Sequence, residues 1–303
     1  MTAAQATDHA ADRLLNAIDR VASPVCVGLD PVLARLPVMT ASGRLRETEA
    51  ESAVESIEIF SLHVLEAVAP HVPCVKFQSA CYERYGVNGI AALQRLMLEA
   101  DRMGLEVILD AKRGDIGLTA EHYAAAAFDP LFRQPSWITI NSYLGVDGIT
   151  PFLQPGRGAF ALVRTSNPGG DAIQNLELAS GGVVADAVAG IVAAIGRDHI
   201  GKRGFSSLGA VVGATKPHDA EHLRDLMPQQ IFLVPGYGAQ GGSMKDVRAC
   251  FRRDSAGRLT GAIVTASRLV IYAYKRGDTY WKTAIADAAA RFADEIGSAM
   301  GMR

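Results

Sequence analysis

A single (β/α)8 TIM barrel is the fold this 303-residue sequence predicts. Three observations carry the prediction. Eight short apolar, mostly β-branched runs recur along the chain, amphipathic stretches alternate with them, and polar residues collect at or just after the ends of the runs. Strands alternating with helices call for a parallel sheet with helical crossovers. Polar residues gathered at strand ends match the C-terminal face on which barrels build their sites. A doubly wound open sheet is the alternative.

The predicted strands, in order, are Val25–Leu29, Cys74–Phe77, Leu105–Leu109, Trp137–Ile140, Ala159–Val163, Leu208–Val212, Ile231–Val234 and Ala262–Thr265. Each is short and mainly apolar, as expected of a strand buried on both faces. The helical stretches between them include Thr48–Val68, Gly89–Met103, Gly182–Gly196, His218–Leu226 and Ser243–Phe251. The polar residues at the strand ends are Asp30, Lys76, Asp110, Lys112, Asn141, Thr165, Ser166, Thr215, Gln240 and Arg268. No repeat or linker breaks the chain, so residues 1–303 read as one domain. The longest excursion is Pro31–Glu47, and Asp198–Ser207, with Gly201 and Gly204, reads as a loop.

Composition narrows the function. Hydrophobic content of 49% with 20% charged residues suits a globular enzyme with a large core. A net charge of −2 and no long basic run argue against duplex nucleic acid as a partner. The four cysteines, Cys26, Cys74, Cys81 and Cys250, form no metal-like cluster, and Cys26 and Cys74 fall inside apolar runs as buried thiols. Without disulfides, a signal peptide or a bilayer-length apolar run, the expected location is the cytoplasm, away from any membrane.

The run from Asp110 to Thr119 follows a buried strand. Asp110 and Lys112 are two apart and share a face in extended backbone, while Asp115 falls where the chain turns. Buried charges are costly unless paired, so the pair is a structural ion pair or a catalytic one. An ammonium between two carboxylates favours the ionised form of all three. Such an array can repel a substrate anion and then deliver a proton from lysine to carbon. Lys76, at another strand end, favours the catalytic reading.

Pro235 to Gly242 contains G-x-G-x-x-G after a strand and before a helix. A dinucleotide site would expect an acidic residue at the end of the next strand. That strand ends at Ser267-Arg268 instead, which fits a barrel phosphate site built after strands seven and eight. Thr165-Ser166-Asn167-Pro168-Gly169 reads by itself as ordinary turn chemistry. His218 and His222, four apart beside Glu221, lie in a segment too polar for a buried zinc site and read as surface residues. No nucleophile elbow and no P-loop occur.

Asp110 to Thr119 fits D-x-K-x-x-D-I-x-x-T and resembles the signature of the orotidine 5′-phosphate decarboxylase family, in its longer bacterial branch. Further pieces resemble the family in order along nearly the whole chain. Gly28-Leu29-Asp30 is similar to the segment whose aspartate binds ribose, and Val75-Lys76-Phe77 to the second-strand lysine segment. Ser166 matches a serine that contacts the pyrimidine. Pro235 to Gly242, with Pro235, Gly238 and Gln240, is similar to the phosphate loop, and Arg268 matches its arginine. Two departures stand out: Ser267 replaces a residue that is often glycine, and the Pro31–Glu47 excursion has no assigned role.

The resemblance implies a barrel homodimer that turns orotidine 5′-monophosphate into UMP with neither metal nor organic cofactor. It implies a catalytic network of Lys76, Asp110, Lys112 and Asp115, with Asp115, Ile116 and Thr119 donated across the interface. Three other readings compete. A Mg²⁺-dependent sugar-phosphate decarboxylase or aldolase would carry an acidic residue where Lys76 stands. An oxidoreductase would use Gly236–Gly241 for a dinucleotide. A binding-only protein would leave the charged network unused.

Overall fold

The computed structural model describes residues 9–37, 50–128, 135–238, 241–275 and 277–303. Eight parallel strands close into a barrel: β1 (Val25–Leu29), β2 (Cys74–Gln78), β3 (Glu106–Arg113), β4 (Trp137–Ile140), β5 (Gly158–Arg164), β6 (Ser206–Val212), β7 (Gln230–Val234) and β8 (Ala262–Ala266). Each pairs with its neighbours in sequence, and β8 pairs with β1 to complete the ring. All eight predicted strands are present, and the closed ring excludes the open-sheet alternative.

The larger helices are α1 (Ala10–Val21), α2 (Ala50–Val68), α3 (Gly86–Arg102), α4 (Gly117–Phe128), α5 (Val184–Gly196), α6 (Pro217–Leu226), α7 (Met244–Ala249) and α8 (Trp281–Ala299). One side of each strand packs on these helices, as with Val27, Val75 and Val107 against Phe60, Leu65 and Leu96. The other side fills the barrel. There Cys26, Cys74, Ile108, Trp137, Phe160, Ile231 and Ile263 form a separate inner cluster. The Trp137 and Phe160 rings stack with centroids 4.6 Å apart. Gly158 makes room for them, since a Cβ there would lie 2.3 Å from the Trp137 ring.

Helix α1 plugs the N-terminal end of the barrel. Its Ala10, Ala11, Leu14, Leu15 and Ile18 join the inner cluster, and burying each of the larger three is worth about 1.5–3 kcal/mol. The Asp198–Ser207 segment grips this plug. Asp12 accepts the backbone N–H groups of Lys202 and Arg203 at 2.8 and 2.9 Å, and Arg203 pairs with Asp19 at 2.8 Å. With the N-terminal end stoppered by apolar side chains, the C-terminal end is left for polar chemistry.

Candidate active site

At the C-terminal ends of the strands a cavity of about 290 Å³ opens. Asp30, Lys76, Asp110, Lys112, Ser166, Pro235, Ser267 and Arg268 all line it. Residues separated by up to 238 positions in sequence thus meet at one site, because each lies on or just after a strand of the same ring.

The floor is a chain of charges. Asp110 Oδ2 accepts a hydrogen bond from Lys76 Nζ at 2.6 Å, and Asp110 Oδ1 accepts one from Lys112 Nζ at 2.6 Å. The side chains of Lys76 and Asp110 are 8% and 9% exposed, whereas that of Lys112 is 47% exposed. Lys112 is therefore the ammonium that a ligand can reach. Burial pushes the Asp110 carboxyl up, but Lys76 and Lys112 more than offset this and bring it down to about 2. Burial likewise works against the Lys76 ammonium, yet Asp110 and Asp30 outweigh it and hold its pKa above the ordinary lysine value. The carboxylate and the buried ammonium are both charged at neutral pH.

The backbone beneath this chain departs from a regular strand. Pairing of β3 with β4 shifts register between Leu109 and Arg113, and Lys112 adopts φ +46°. Asp110 and Lys112 thus both reach the cavity, but through a bulge with a left-handed residue rather than through plain extended alternation. Thr139, on β4, donates from Oγ1 to Asp110 Oδ1 at 2.8 Å and accepts the Lys112 backbone N–H at 3.0 Å.

Asp30 follows β1 and reaches the cavity with Oδ1 buried and, among the described residues, without a hydrogen-bond partner. Its loop is held by Tyr272, whose hydroxyl donates to Asp30 O at 3.2 Å and accepts the Val32 N–H at 2.8 Å. The Tyr272 ring stacks on Phe60 and carries the Arg35 guanidinium 3.9 Å from its centroid. Ser166 follows β5, and its carbonyl accepts a hydrogen bond from Thr215 Oγ1 at 3.2 Å. The chain passes so close to Gly213 that a Cβ there would sit 2.8 Å from Ser166 Cα.

After β7, Gly236, Gly238 and Gly241 take φ of +99°, +67° and +90°. Their turn is closed by hydrogen bonds from Gly242 N to Gly236 O and from Gly241 N to Gly238 O. Pro235, Gly236 and Tyr237 line the cavity, and Gly238 lies just beyond. Gln240 lies outside the described residues, as do residues 38–49 of the Pro31–Glu47 excursion. Arg268, just past the end of β8, lines the same cavity. Ser267 lies against Gly28, where a Cβ would meet its hydroxyl at 2.0 Å.

Asp115, Ile116 and Thr119 do not line this cavity. Asp115 is half-buried beyond β3, while Ile116 and Thr119 are exposed. Ile116, Leu118, Tyr143 and Val146 are exposed apolar side chains on this side of the barrel, 57%, 67%, 79% and 50% accessible. Asn141 is a local cap, accepting the Tyr143 N–H at 3.1 Å, and is not part of the cavity wall. His218 is exposed, and His222 pairs with Asp186 at 3.1 Å with its side chain 57% accessible. Sequence reading missed Gln78, Thr139 and Tyr237, together with an apolar wall of Leu162, Val211 and Leu233.

Known proteins resemble this chain in sequence and fold. The model of the Orotidine 5′-phosphate decarboxylase / HUMPS family matches residues 23–280. Orotidine 5′-phosphate decarboxylase of Rhodopirellula baltica is 37% identical over 302 residues, covering 94% of this chain and 98% of the relative. That of Deinococcus radiodurans is 38% identical, covering 92% and 93%. The structure of Leishmania donovani OMP decarboxylase superposes with a TM-score of 0.75 at 30% identity, covering 97% of this chain and 99% of that one. Through its matched length and the level of identity, the chain belongs to the orotidine 5′-phosphate decarboxylase / HUMPS family.

Proposed function

We propose that this chain decarboxylates orotidine 5′-monophosphate to UMP and CO2, the last step of de novo pyrimidine nucleotide synthesis, as a metal-free lyase formed by residues 1–303 as one domain. The observation that carries the proposal is the Lys76–Asp110–Lys112 chain on the cavity floor, with Lys112 its most exposed member. The relatives' shared name supplies the substrate.

The chemistry follows from the charges. Asp110 stays ionised at neutral pH and would face the substrate carboxylate as a like charge. Loss of CO2 breaks the bond to the ring carbon and leaves the electron pair there. Lys112 stabilises that carbanion as a nearby cation and then gives it a proton from Nζ, recovering one from water. Lys76, largely buried beneath it, keeps Asp110 anionic through the cycle. Asp30, with an unpartnered buried oxygen, suits a ribose hydroxyl. Ser166 suits a polar pyrimidine edge, and the backbone of Pro235–Gly238, Gln240, Ser267 and Arg268 would hold the phosphate. Binding energy at the phosphate can lower the barrier at the distant carbon by closing the loop and excluding water.

The protein is proposed to work as a homodimer in which Asp115, Ile116 and Thr119 complete the partner's site. Their distance from their own cavity and the exposed apolar side chains beside them support this. Four free thiols support a reducing, cytoplasmic setting, and among the described residues no helix is long and apolar enough to cross a membrane. The sugar-phosphate reading is disfavoured because the Lys76 ammonium, bonded to Asp110, occupies the place of its acidic metal ligand. Incubating orotidine 5′-monophosphate with the protein in EDTA tests the proposal. Equal yields of UMP and CO2 are expected. No product in EDTA, with product restored by Mg²⁺, would refute the metal-free mechanism.

A further inference from the structure

We infer that Thr139 is a positioning residue of the charged network, its one hydroxyl setting both the Asp110 carboxylate and the Lys112 backbone; the inference rests on the decarboxylase reading above. Thr139 sits on β4, is 1% exposed, and contributes to the cavity wall. Its single proton goes to Asp110 Oδ1 and its oxygen takes the Lys112 N–H. Both bonds fall where regular pairing of β3 with β4 lapses.

Two constraints make that hydroxyl consequential. A lysine at φ +46° occupies backbone space that side chains other than glycine rarely adopt, so something must hold it there. The Thr139 oxygen does so by binding the N–H of that same residue. Asp110, for its part, is gripped by Lys76 at one oxygen and by Lys112 and Thr139 at the other. Lys76 approaches from β2 and Thr139 from β4, so the carboxylate is fixed from both neighbouring strands. Lys112 is half-exposed and, among the described residues, is held through Asp110 and its own backbone. Removing the hydroxyl loosens both supports of the proton donor and leaves the glycine turn and Arg268 untouched. The loss should therefore fall on kcat and spare KM.

Thr139→Val keeps the shape and removes the hydroxyl, whereas Thr139→Ser keeps the hydroxyl and removes a methyl. Assayed on orotidine 5′-monophosphate beside the wild type, Thr139→Val should lose about 100-fold in kcat, the order expected of a proton donor displaced by about 1 Å. Its KM should stay within about threefold, and Thr139→Ser should keep kcat within about threefold. Calorimetric titration with UMP reports whether the variant pocket is formed. A Thr139→Val protein that binds UMP and keeps wild-type kcat overturns the inference. So does Thr139→Ser falling as far as Thr139→Val. Should Thr139→Val bind no UMP, Thr139→Ala against Thr139→Ser decides, since only the hydroxyl separates them, and equal kcat overturns the inference. A wild type inert on the substrate overturns the decarboxylase reading and the inference together. An active wild type with an unaffected Thr139→Val overturns the inference alone.

Discussion

Replacing Asp110 by asparagine removes the carboxylate that two ammonium groups share while nearly preserving its shape. Lys76 is then left with its charge buried, its side chain 8% exposed, and Asp30 as its remaining nearby anion. Stripping one partner from a buried ion pair costs about 3–5 kcal/mol. The titration of Asp110 gives a second handle. It falls at about 2 in the fold against an ordinary 3.8, a difference worth roughly 2 kcal/mol at neutral pH. Because the folded value is the lower one, this stability is present above pH 4 or so and is lost as pH falls toward about 2. Together these place the loss for Asp110→Asn at about 2–5 kcal/mol. Urea unfolding at pH 7 measures it. Adding Lys76→Met removes the stranded charge and should recover most of the loss, while turnover stays abolished in both proteins. An Asp110→Asn protein within about 0.5 kcal/mol of the wild type would refute the coupling, because surface-like changes stay in that range. A double variant no more stable than the single one would refute it equally.

Other outcomes follow from the same geometry. Arg268→Ala removes a charge-assisted phosphate contact worth about 1.5–3 kcal/mol, so kcat/KM should fall roughly 10- to 100-fold; steady-state kinetics checks it, and an unchanged kcat/KM contradicts the phosphate role. The shared site can be tested by mixing. Asp115→Ala and Lys112→Ala are each expected to be inactive, but random exchange of subunits gives hybrids with one intact site, restoring about a quarter of wild-type activity. Mixtures as inactive as their components would contradict the exchange of Asp115 between subunits.

The barrel was legible because parallel strands buried on both faces read as short, mainly apolar runs. The run ending at Leu109 understated β3, which continues through four more residues to Arg113. Those residues carry charge and look like a loop, yet they stay in the sheet because Asp110 is paired on three sides. Three helices escaped notice. Gly117–Phe128 is alanine-rich and lacks a sharp apolar stripe. Ala10–Val21 begins beside a polar terminus, although its apolar face seals the barrel. Trp281–Ala299 was likewise not among the amphipathic stretches singled out.

Within the site, charged residues at strand ends stood out because charge next to a core demands an explanation. Thr139 did not, since a threonine inside Trp137-Ile138-Thr139-Ile140 looks like any other β-branched strand residue. Gln78 and Leu162 were hidden in the same way, their role arising from which strands become neighbours on closure. The left-handed backbone of Lys112 has no sequence signal, because glycine, not lysine, normally marks such a position.

The central claim is that Lys112, held by Asp110, completes the decarboxylation of orotidine 5′-monophosphate. Following the absorbance of that substrate in EDTA, with wild type beside Lys112→Ala, tests it most directly. The expected result is rapid loss of the substrate band with the wild type. Lys112→Ala should show turnover lower by at least about 10⁴-fold, as general-acid and electrostatic contributions are lost together, with UMP binding retained. Near-normal turnover by Lys112→Ala, or no change with the wild type, would contradict the claim.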